Sequence, residues 1–188
     1  MYAGIDQALR RTGVVLLGAD GSLLEVSLIV TGDRTGGERL LMLQKGIEDL
    51  LHEAGKRGGS VARACVEGAS FGSVHREFDL GGAQAAVLIA LAAFKVPTTI
   101  VPPVLVKKFA TGNAQAEKAD IVNSVATTWH TSLTSHDEAD AYVLAQIARS
   151  LDTNRYDTRA QCEVVHRLNT PKVPRSKRLR IRPPGQNH

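Results

Sequence analysis

Residues 1–30 of the chain read MYAGIDQALRRTGVVLLGADGSLLEVSLIV, and this stretch decides the fold. It contains three apolar runs of strand length, at residues 3–6, 12–17 and 23–30, separated by polar residues. The last two runs flank Asp20-Gly21, a dipeptide that favours a tight hairpin turn. The sequence therefore predicts that the chain begins as an antiparallel meander of three strands.

After residue 37 the apolar residues recur at helical spacing, and Gly55 is typical of a helix C-terminal cap. Residues 61–67 are short, apolar and bounded by glycines, which predicts a buried strand parallel to the first. Further helices are predicted at residues 78–94, 117–129 and 135–151, with a strand at 97–101 and a flexible segment at 111–113. Ser135 and Glu138 form a capping box that marks the start of the last helix.

This order of elements predicts an α/β fold in which an antiparallel meander is followed by parallel strands, with helices flanking the mixed sheet. We expect one domain over residues 1–151 and a basic, proline-containing, flexible tail over residues 152–188. The chain has a net charge of +4, but its last 18 residues contain six cations and no acid, so residues 1–170 are net acidic. Such a tail can neutralise DNA phosphates without reading sequence. The expected contacts include Lys172, Arg175, Lys177 and Arg178.

The sequence also suggests where the protein works. Its N-terminus lacks the features of a secretory signal, and Cys65 and Cys162 are far apart, as expected of free thiols in a reducing compartment. The longest apolar stretch, residues 80–94, is too short to span a bilayer. We expect an intracellular protein with no membrane contact.

Four carboxylates occupy positions where a core would favour apolar side chains. Asp6 and Glu67 each end an apolar strand, and the ends of adjacent parallel strands lie side by side. Asp137 and Asp140 are three residues apart on the last helix and share one stripe with apolar residues. Because a buried carboxylate is tolerated chiefly when it is paired or binds a metal, these four residues predict a metal site.

The predicted metal is Mg²⁺, which Mn²⁺ could replace, since Mg²⁺ binds through a few carboxylates together with substrate phosphate. Two such ions about 3.5–4 Å apart would clamp the attacking and leaving oxygens of phosphodiester hydrolysis. Each acid also has a simpler explanation: Asp6 and Glu67 as ordinary charges at strand ends, and Asp137 as a first-turn acid favoured by the helix dipole. His136 is interpreted as a surface residue of the capping region.

Six short motifs occur in order: Gly4-Ile5-Asp6, Thr12-Gly13, Val66-Glu67, Val106-Lys107, Ala116-Glu117-Lys118 and Asp137-x-x-Asp140-Ala141. In order and spacing, they resemble the motifs of the RuvC Holliday-junction resolvases, especially the phage-type relatives. The resemblance covers about residues 1–150. It implies an RNase H-like fold, a homodimer on a four-way DNA junction, and Mg²⁺-dependent nicking of two strands during DNA recombination and repair, in the cytoplasm of a bacterial cell or phage-infected host.

By position, the resemblance implies that Asp6, Glu67, Asp137 and Asp140 are the metal-binding catalytic acids and that Lys107 and Lys118 are the functional lysines. A cation there would hold the scissile phosphate or stabilise charge developing on it. Lys108 is an equally plausible candidate for the role of Lys107. The alternative for all three lysines is that they are solvated surface charges. Phe71 would stack on opened bases, although it lies one residue further from Glu67 than the family's aromatic usually does.

Three other functions remain open from the sequence. The chain could be a YqgF-like nuclease of RNase H fold that acts on RNA, or a non-catalytic, architectural junction-binding protein that uses its basic tail. An actin-like ATPase ranks last, because the chain has no second phosphate loop and is short for that fold. We therefore expect no nucleotide cofactor.

Overall fold

The computed structural model describes residues 1–68 and 77–170. Its five strands form one sheet in the order β3-β2-β1-β4-β5. The strands are β1 (Tyr2–Asp6), β2 (Arg11–Leu17), β3 (Leu23–Val30), β4 (Arg63–Glu67) and β5 (Thr98–Val101). The helices in the described part of the chain are α1 (Gly36–Lys56), α2 (Glu77–Ala93), α3 (Pro103–Thr111), α4 (Lys118–Thr128), α5 (His136–Thr153) and α6 (Arg159–Asn169).

The sheet is mixed, as the sequence predicts. Strand β1 pairs antiparallel with β2, which pairs antiparallel with β3, and these three strands form the meander. On its other edge β1 pairs parallel with β4, and β4 pairs parallel with β5. The turn between β2 and β3 contains Gly21 at φ 94°, a conformation that glycine adopts without strain.

Helices cover both faces of the sheet. On one face, Ala3, Ile5 and Val14 pack with residues of α1 and α2, including Ile47 and Val87. On the other face, α5 lies against β1, β2 and β4, and α3, α4 and α6 pack around α5. Helix α5 is buried along nearly its whole length, so it is the central helix of the second face.

Two glycines allow α5 to lie directly on the sheet. A Cβ atom added to Gly4 would overlap backbone atoms of Ala141 and Ala145 and come within 2.9 Å of the Leu144 carbonyl carbon. A Cβ atom added to Gly13 would come within 2.8 Å of the Asp137 carbonyl carbon. Because heavy atoms do not pack that closely, only glycine at these positions permits the observed distance between helix and sheet.

The structure corrects the prediction of a flexible segment around residues 111–113. Residues 103–111 form α3, which has Pro103 in its first turn and ends at Gly112 with φ 82°. The Pro102-Pro103 pair therefore starts a helix after ending β5, since a proline at the first helical position has no amide hydrogen bond to lose. Thr111 and Asn113 are hydrogen bonded across this helix end.

Two other boundaries differ from the prediction. Helix α1 continues past Gly55 to Lys56, and the glycine with positive φ that follows it is Gly58, at 77°. The expected flexible tail from residue 152 contains α6, because Val164 and Val165 find buried positions against α3 and α5. Residues 171–188, which hold the tail cations, lie outside the described residues. Over residues 1–68 and 77–170, no helix is long and apolar enough to cross a bilayer.

Candidate active site

The parallel pairing of β1 and β4 brings two carboxylates together. Ile5 lies beside Val66 in the register, so Asp6 and Glu67 follow at the same edge of the sheet. Both side chains are on the face that α5 covers, since strand residues alternate between faces. The carboxyl groups of Asp6 and Glu67 lie close enough for each to shift the pKa of the other. The juxtaposition that the sequence predicts is therefore present.

Asp140 joins this pair from α5. It is only 6% exposed, and Asp6 is 7% exposed, so both are buried although each has an ionisable side chain. The contact of α5 with Gly4 and Gly13 fixes this position, because the Asp137 and Ala141 backbone lies directly over those two glycines. The N-terminal turn of α5 thus faces the ends of β1 and β4.

Asp137 lies one turn earlier and is less enclosed. Its side chain is 28% exposed, and one oxygen lies 3.5 Å from Nε of Arg11 at the start of β2. Glu138, between the two aspartates, has a different role. It completes the predicted capping box with Ser135, accepting hydrogen bonds from the backbone amides of Thr134 and Ser135.

The electrostatics of the site favour protonated carboxyl groups. Burial, followed by the charges of Glu67 and Asp140, raises the pKa of Asp6 to about 9. Burial and the charge of Asp140 raise the pKa of Glu67 to about 7, although Lys118 and Lys107 oppose this shift. Burial also raises the pKa of Asp140, and the nearby Lys118 counteracts it. Like charges packed in a low-dielectric site cannot all ionise unless a cation accompanies them.

Two lysines complete the site. Lys107 on α3 and Lys118 at the start of α4 line a cavity of about 220 Å³ together with Glu67 and Asp140. Lys108, the alternative to Lys107, forms an ion pair with Glu163 of α6 at 2.7 Å. A larger cavity of about 740 Å³ lies at the opposite ends of β4 and β5 and does not adjoin the carboxylates.

Several predicted residues cannot be placed in the site. Phe71, Lys172, Arg175, Lys177 and Arg178 lie outside the described residues. His136 is exposed, as expected of a capping-region residue, and a positive charge on it would oppose the rise in the pKa of Asp140. The nucleic-acid contacts predicted for Phe71 and the four tail cations stay predictions.

Sequence reasoning missed what Gly4, Gly13 and Arg11 do. The two glycines were part of the motifs, but only the position of α5 shows that their missing side chains make room for the helix. Arg11 could have been suspected from the Arg10-Arg11 pair directly before the Thr12-Gly13 motif. Its ion pair with Asp137 brings a positive charge to the rim of the site.

The carboxylate oxygens of these acids are suitable ligands for a hard divalent cation. Carboxylates are the ligands that Mg²⁺ and related ions take from proteins, and a bound cation would offset the burial and like charges that raise the pKa values of Asp6 and Glu67. Within residues 1–68 and 77–170, no three His, Cys, Asp or Glu side chains form a ready-made metal-binding group. Because the pKa values of Asp6 and Glu67 are raised, these two acids would have to lose protons before they bind an ion together.

Comparison with known families gives an independent result. The family model described as crossover junction endodeoxyribonuclease RuvC matches residues 2–148. The RuvC protein of Parasynechococcus marenigrum (strain WH8102) is 29% identical over 126 residues, which cover 65% of this chain and 79% of that protein. RuvC of Maricaulis maris (strain MCS10) is 29% identical over 146 residues, or 76% of this chain and 86% of the relative.

Solved structures show the same fold. Thermus thermophilus RuvC aligns with a TM-score of 0.62 at 24% sequence identity, covering 76% of this chain and 89% of that structure. T. thermophilus RuvC in complex with Holliday junction substrate aligns with a TM-score of 0.62 over 76% of this chain and 88% of that one. The mixed sheet and its flanking helices are therefore RNase H-like, as the sequence predicts.

Proposed function

The chain belongs to the RuvC family of crossover junction endodeoxyribonucleases, and we propose that its buried carboxylates cut a four-way DNA junction with the help of Mg²⁺. Membership makes it a Holliday-junction-resolving endonuclease of a family that uses a divalent metal. The observation that carries the proposal is the meeting of Asp6, Glu67 and Asp140 beside Lys107 and Lys118. An architectural protein would gain nothing from burying Asp6 and Asp140 beside the partly buried Glu67, since burial of charge costs stability.

We assign the metal ligands to Asp6, Glu67 and Asp140, with Asp137 as a fourth and more exposed acid. When bound, Mg²⁺ would supply the positive charge that makes a water molecule nucleophilic and neutralises the phosphate. The carboxylates must be ionised to bind it, so the protons that the raised pKa values keep on Asp6 and Glu67 have to leave. Mn²⁺ takes the same oxygen ligands and should replace Mg²⁺.

Lys107 and Lys118 have a separate task. Both line the cavity beside Glu67 and Asp140, so a phosphate next to the carboxylates would lie within reach of two positive charges. Such charges hold the scissile phosphate in place and stabilise the negative charge that grows on its oxygens as the bond breaks. Arg11, at the rim, can neutralise a neighbouring phosphate when Asp137 turns towards a bound cation.

We further propose that the protein acts as a homodimer. Helix α2 presents an apolar side to solvent, where Phe78 is 92% exposed and Ile89 is 56% exposed. Gly81 and Ala85 lie between them on the same side, and small residues let two helices approach closely. A homodimer would place two copies of the site on one junction, as the paired cutting of two strands requires. The tail cations Lys172, Arg175, Lys177 and Arg178 would add phosphate contacts.

The decisive experiment is cleavage of a labelled synthetic four-way junction by the full-length protein. We expect paired nicks with Mg²⁺ or Mn²⁺ and no product with EDTA. Asp6→Asn and Asp140→Asn should abolish nicking while the affinity for the junction stays within a few-fold of wild type. The matched control is Glu138→Gln, which changes a neighbouring carboxylate but keeps a capping-box residue, and it should cut normally.

The same assay separates the other functions. A structured RNA of equal length should remain intact, and its cleavage in preference to the junction would favour the RNA nuclease. Junction binding that persists in EDTA with no product under any metal condition would favour an architectural protein. Normal cutting by both Asp6→Asn and Asp140→Asn would show that the site is assigned wrongly.

A further inference from the structure

Helix α6 lies outside the residues that the family model matches. The match ends at residue 148, whereas α6 covers Arg159–Asn169. Thr158 and Gln161 form a capping box at its start, and its last turn contains His166 and Arg167. The helix packs on α3 and α5 rather than extending away from the domain. This chain thus has an additional element fixed to the helix that carries Lys107.

Helix α3 depends on its neighbours for its position. It has nine residues, and helices of that length are marginal in water unless tertiary contacts hold them. Its buried residues Leu105, Val106 and Phe109 belong to the same core cluster as Val164 and Val165 of α6. Val164 is 1% exposed and Val165 is 3% exposed, so α6 covers α3 with apolar side chains.

An ion-pair network adds a directional contact to this packing. Glu163 of α6 lies 2.7 Å from Nζ of Lys108 and 3.0 Å from Nε of Arg159. Lys108 directly follows Lys107, which lines the active-site cavity. Neighbouring helical residues point about 100° apart, so fixing Lys108 towards α6 also fixes the direction in which Lys107 projects.

We propose that α6 is a positioning element for catalysis, in which Glu163 and the buried Val164-Val165 pair hold α3 so that Lys107 faces the carboxylates. The inference rests on the proposed function, because it assumes that Lys107 acts at the site. In this proposal, Lys108 helps to hold α3 in place through its ion pair with Glu163. Helix α6 also connects the active-site wall to the chain segment that carries the tail cations, which begins directly after residue 170.

Charge reversal in the full-length protein tests this proposal. Glu163→Lys puts a second positive charge beside Lys108, and Lys108→Glu puts a second negative charge beside Glu163. Because both side chains are partly exposed, at 31% for Lys108 and 44% for Glu163, each effect should be moderate. We expect each single variant to cut a saturating junction about fivefold more slowly in a single turnover, with junction affinity in Ca²⁺ changed less than about twofold.

The double variant Lys108→Glu/Glu163→Lys supplies the matched control, since it restores opposite charges and should regain most of the cutting rate. Amide hydrogen exchange gives a readout that does not depend on activity. Residues 103–111 should exchange about fivefold faster in each single variant and return towards wild-type rates in the double variant, while the strands stay unchanged.

The two proposals fail in different ways. Unchanged exchange in α3 and unchanged cutting in the single variants would overturn the positioning role of α6, as would a double variant as impaired as both single variants combined. Faster exchange in α3 with wild-type cutting would show a purely structural contact and would equally overturn it. By contrast, wild-type cutting by Lys107→Ala would overturn the role of Lys107 in the proposed function and leave the exchange result standing.

Discussion

The two faces of the sheet differ in what their strands present to the covering helices. Towards α1 and α2 the strands present ordinary apolar side chains such as Ile5 and Val14. Towards α5 they also present apolar side chains, such as Val15 and Leu17, but Gly4, Gly13, Asp6 and Glu67 lie among them. The backbone of α5 lies close to β1, whereas α1 and α2 lie further from the strands.

This difference shows how the fold makes a reactive site from a common architecture. Side chains on the first face keep the helices at an ordinary packing distance and produce a dry core. On the second face, glycines leave no side chain between the helix and the sheet where they meet. The backbone of α5 therefore lies directly on the strands, and Asp140 lies near the carboxylates of β1 and β4. Both faces have an apolar core, and the second in addition accepts unfavourable charge burial for the sake of chemistry.

The largest expected effect comes from adding a side chain to a glycine on the sheet face that α5 covers. In Gly4→Ala the new methyl group would overlap backbone atoms of α5, which cannot rotate away, so the helix has to move. We expect a loss of about 3 kcal/mol in the free energy of unfolding. Cutting should fall by about 100-fold or more, because a displacement of about 1 Å in catalytic groups costs that much. Urea denaturation and junction cleavage measure the two effects, and a fully active, stable Gly4→Ala variant would refute the account of the close approach.

The next effect distinguishes two adjacent lysines. Lys107→Ala should slow cutting by about 100-fold, the usual cost of losing one group that stabilises transition-state charge. Lys108→Ala should slow it by less than about threefold, since Lys108 forms a partly exposed ion pair with Glu163. Single-turnover cleavage at saturating enzyme measures both. Equal losses in the two variants would mean that the cavity does not identify the active lysine.

A smaller effect concerns stability and pH. The folded state keeps Asp6, with its pKa at about 9, and Glu67, with its pKa at about 7, protonated at pH values where the unfolded chain has lost those protons. The folded protein then binds more protons, so the free energy of unfolding without metal should fall as pH rises from about 4 to about 9. Asp6→Asn should reduce this slope and stabilise the protein by about 1–2 kcal/mol at pH 8.

Denaturant unfolding in EDTA at pH 5 and pH 8 checks the pH prediction. Wild type and Asp6→Asn should have similar free energies of unfolding at pH 5 and should diverge at pH 8. Parallel dependence on pH in the two proteins would contradict the burial of a protonated Asp6.

The smallest expected effect comes from replacing a glycine that does not lie on the sheet face covered by α5. Gly55 lies in the last turn of α1, and a Cβ atom added there meets no atom within 4 Å. Gly55→Ala should therefore stabilise the protein by about 0.5–1 kcal/mol through helix propensity and leave cutting unchanged. Thermal unfolding and the cleavage assay measure this. A destabilised Gly55→Ala variant would show that glycine is needed for reasons other than the approach of α5.

Much of the fold was predictable, because its determinants are local. Strand alternation, the Asp20-Gly21 turn and the Ser135–Glu138 capping box each act within a few residues, and the structure confirms them. The meeting of Asp6 and Glu67 also followed from the sequence, since parallel strands align their ends.

The missed features depend on tertiary contacts. Helix α3 has only nine residues and begins at a proline pair that is typical of a strand end, and α6 contributes little more than Val164 and Val165 to the core. Neither helix can be predicted from its own residues alone, because α3 and α6 stabilise each other through tertiary contacts. The functions of Gly4, Gly13 and Arg11 could not be predicted, because they exist only once α5 lies on the sheet.

The central claim is that Asp6, Glu67 and Asp140, whose pKa values are all raised, form one cluster of acids that releases protons when it takes up a divalent cation. Calorimetric titration of the full-length protein with Mn²⁺ at pH 7, in two buffers of different ionisation enthalpy, tests it most directly. We predict cation binding with net release of protons in the wild type, loss of that binding in Asp140→Asn, and wild-type behaviour in Glu138→Gln. Binding without proton release, or undiminished binding by Asp140→Asn, would contradict the claim.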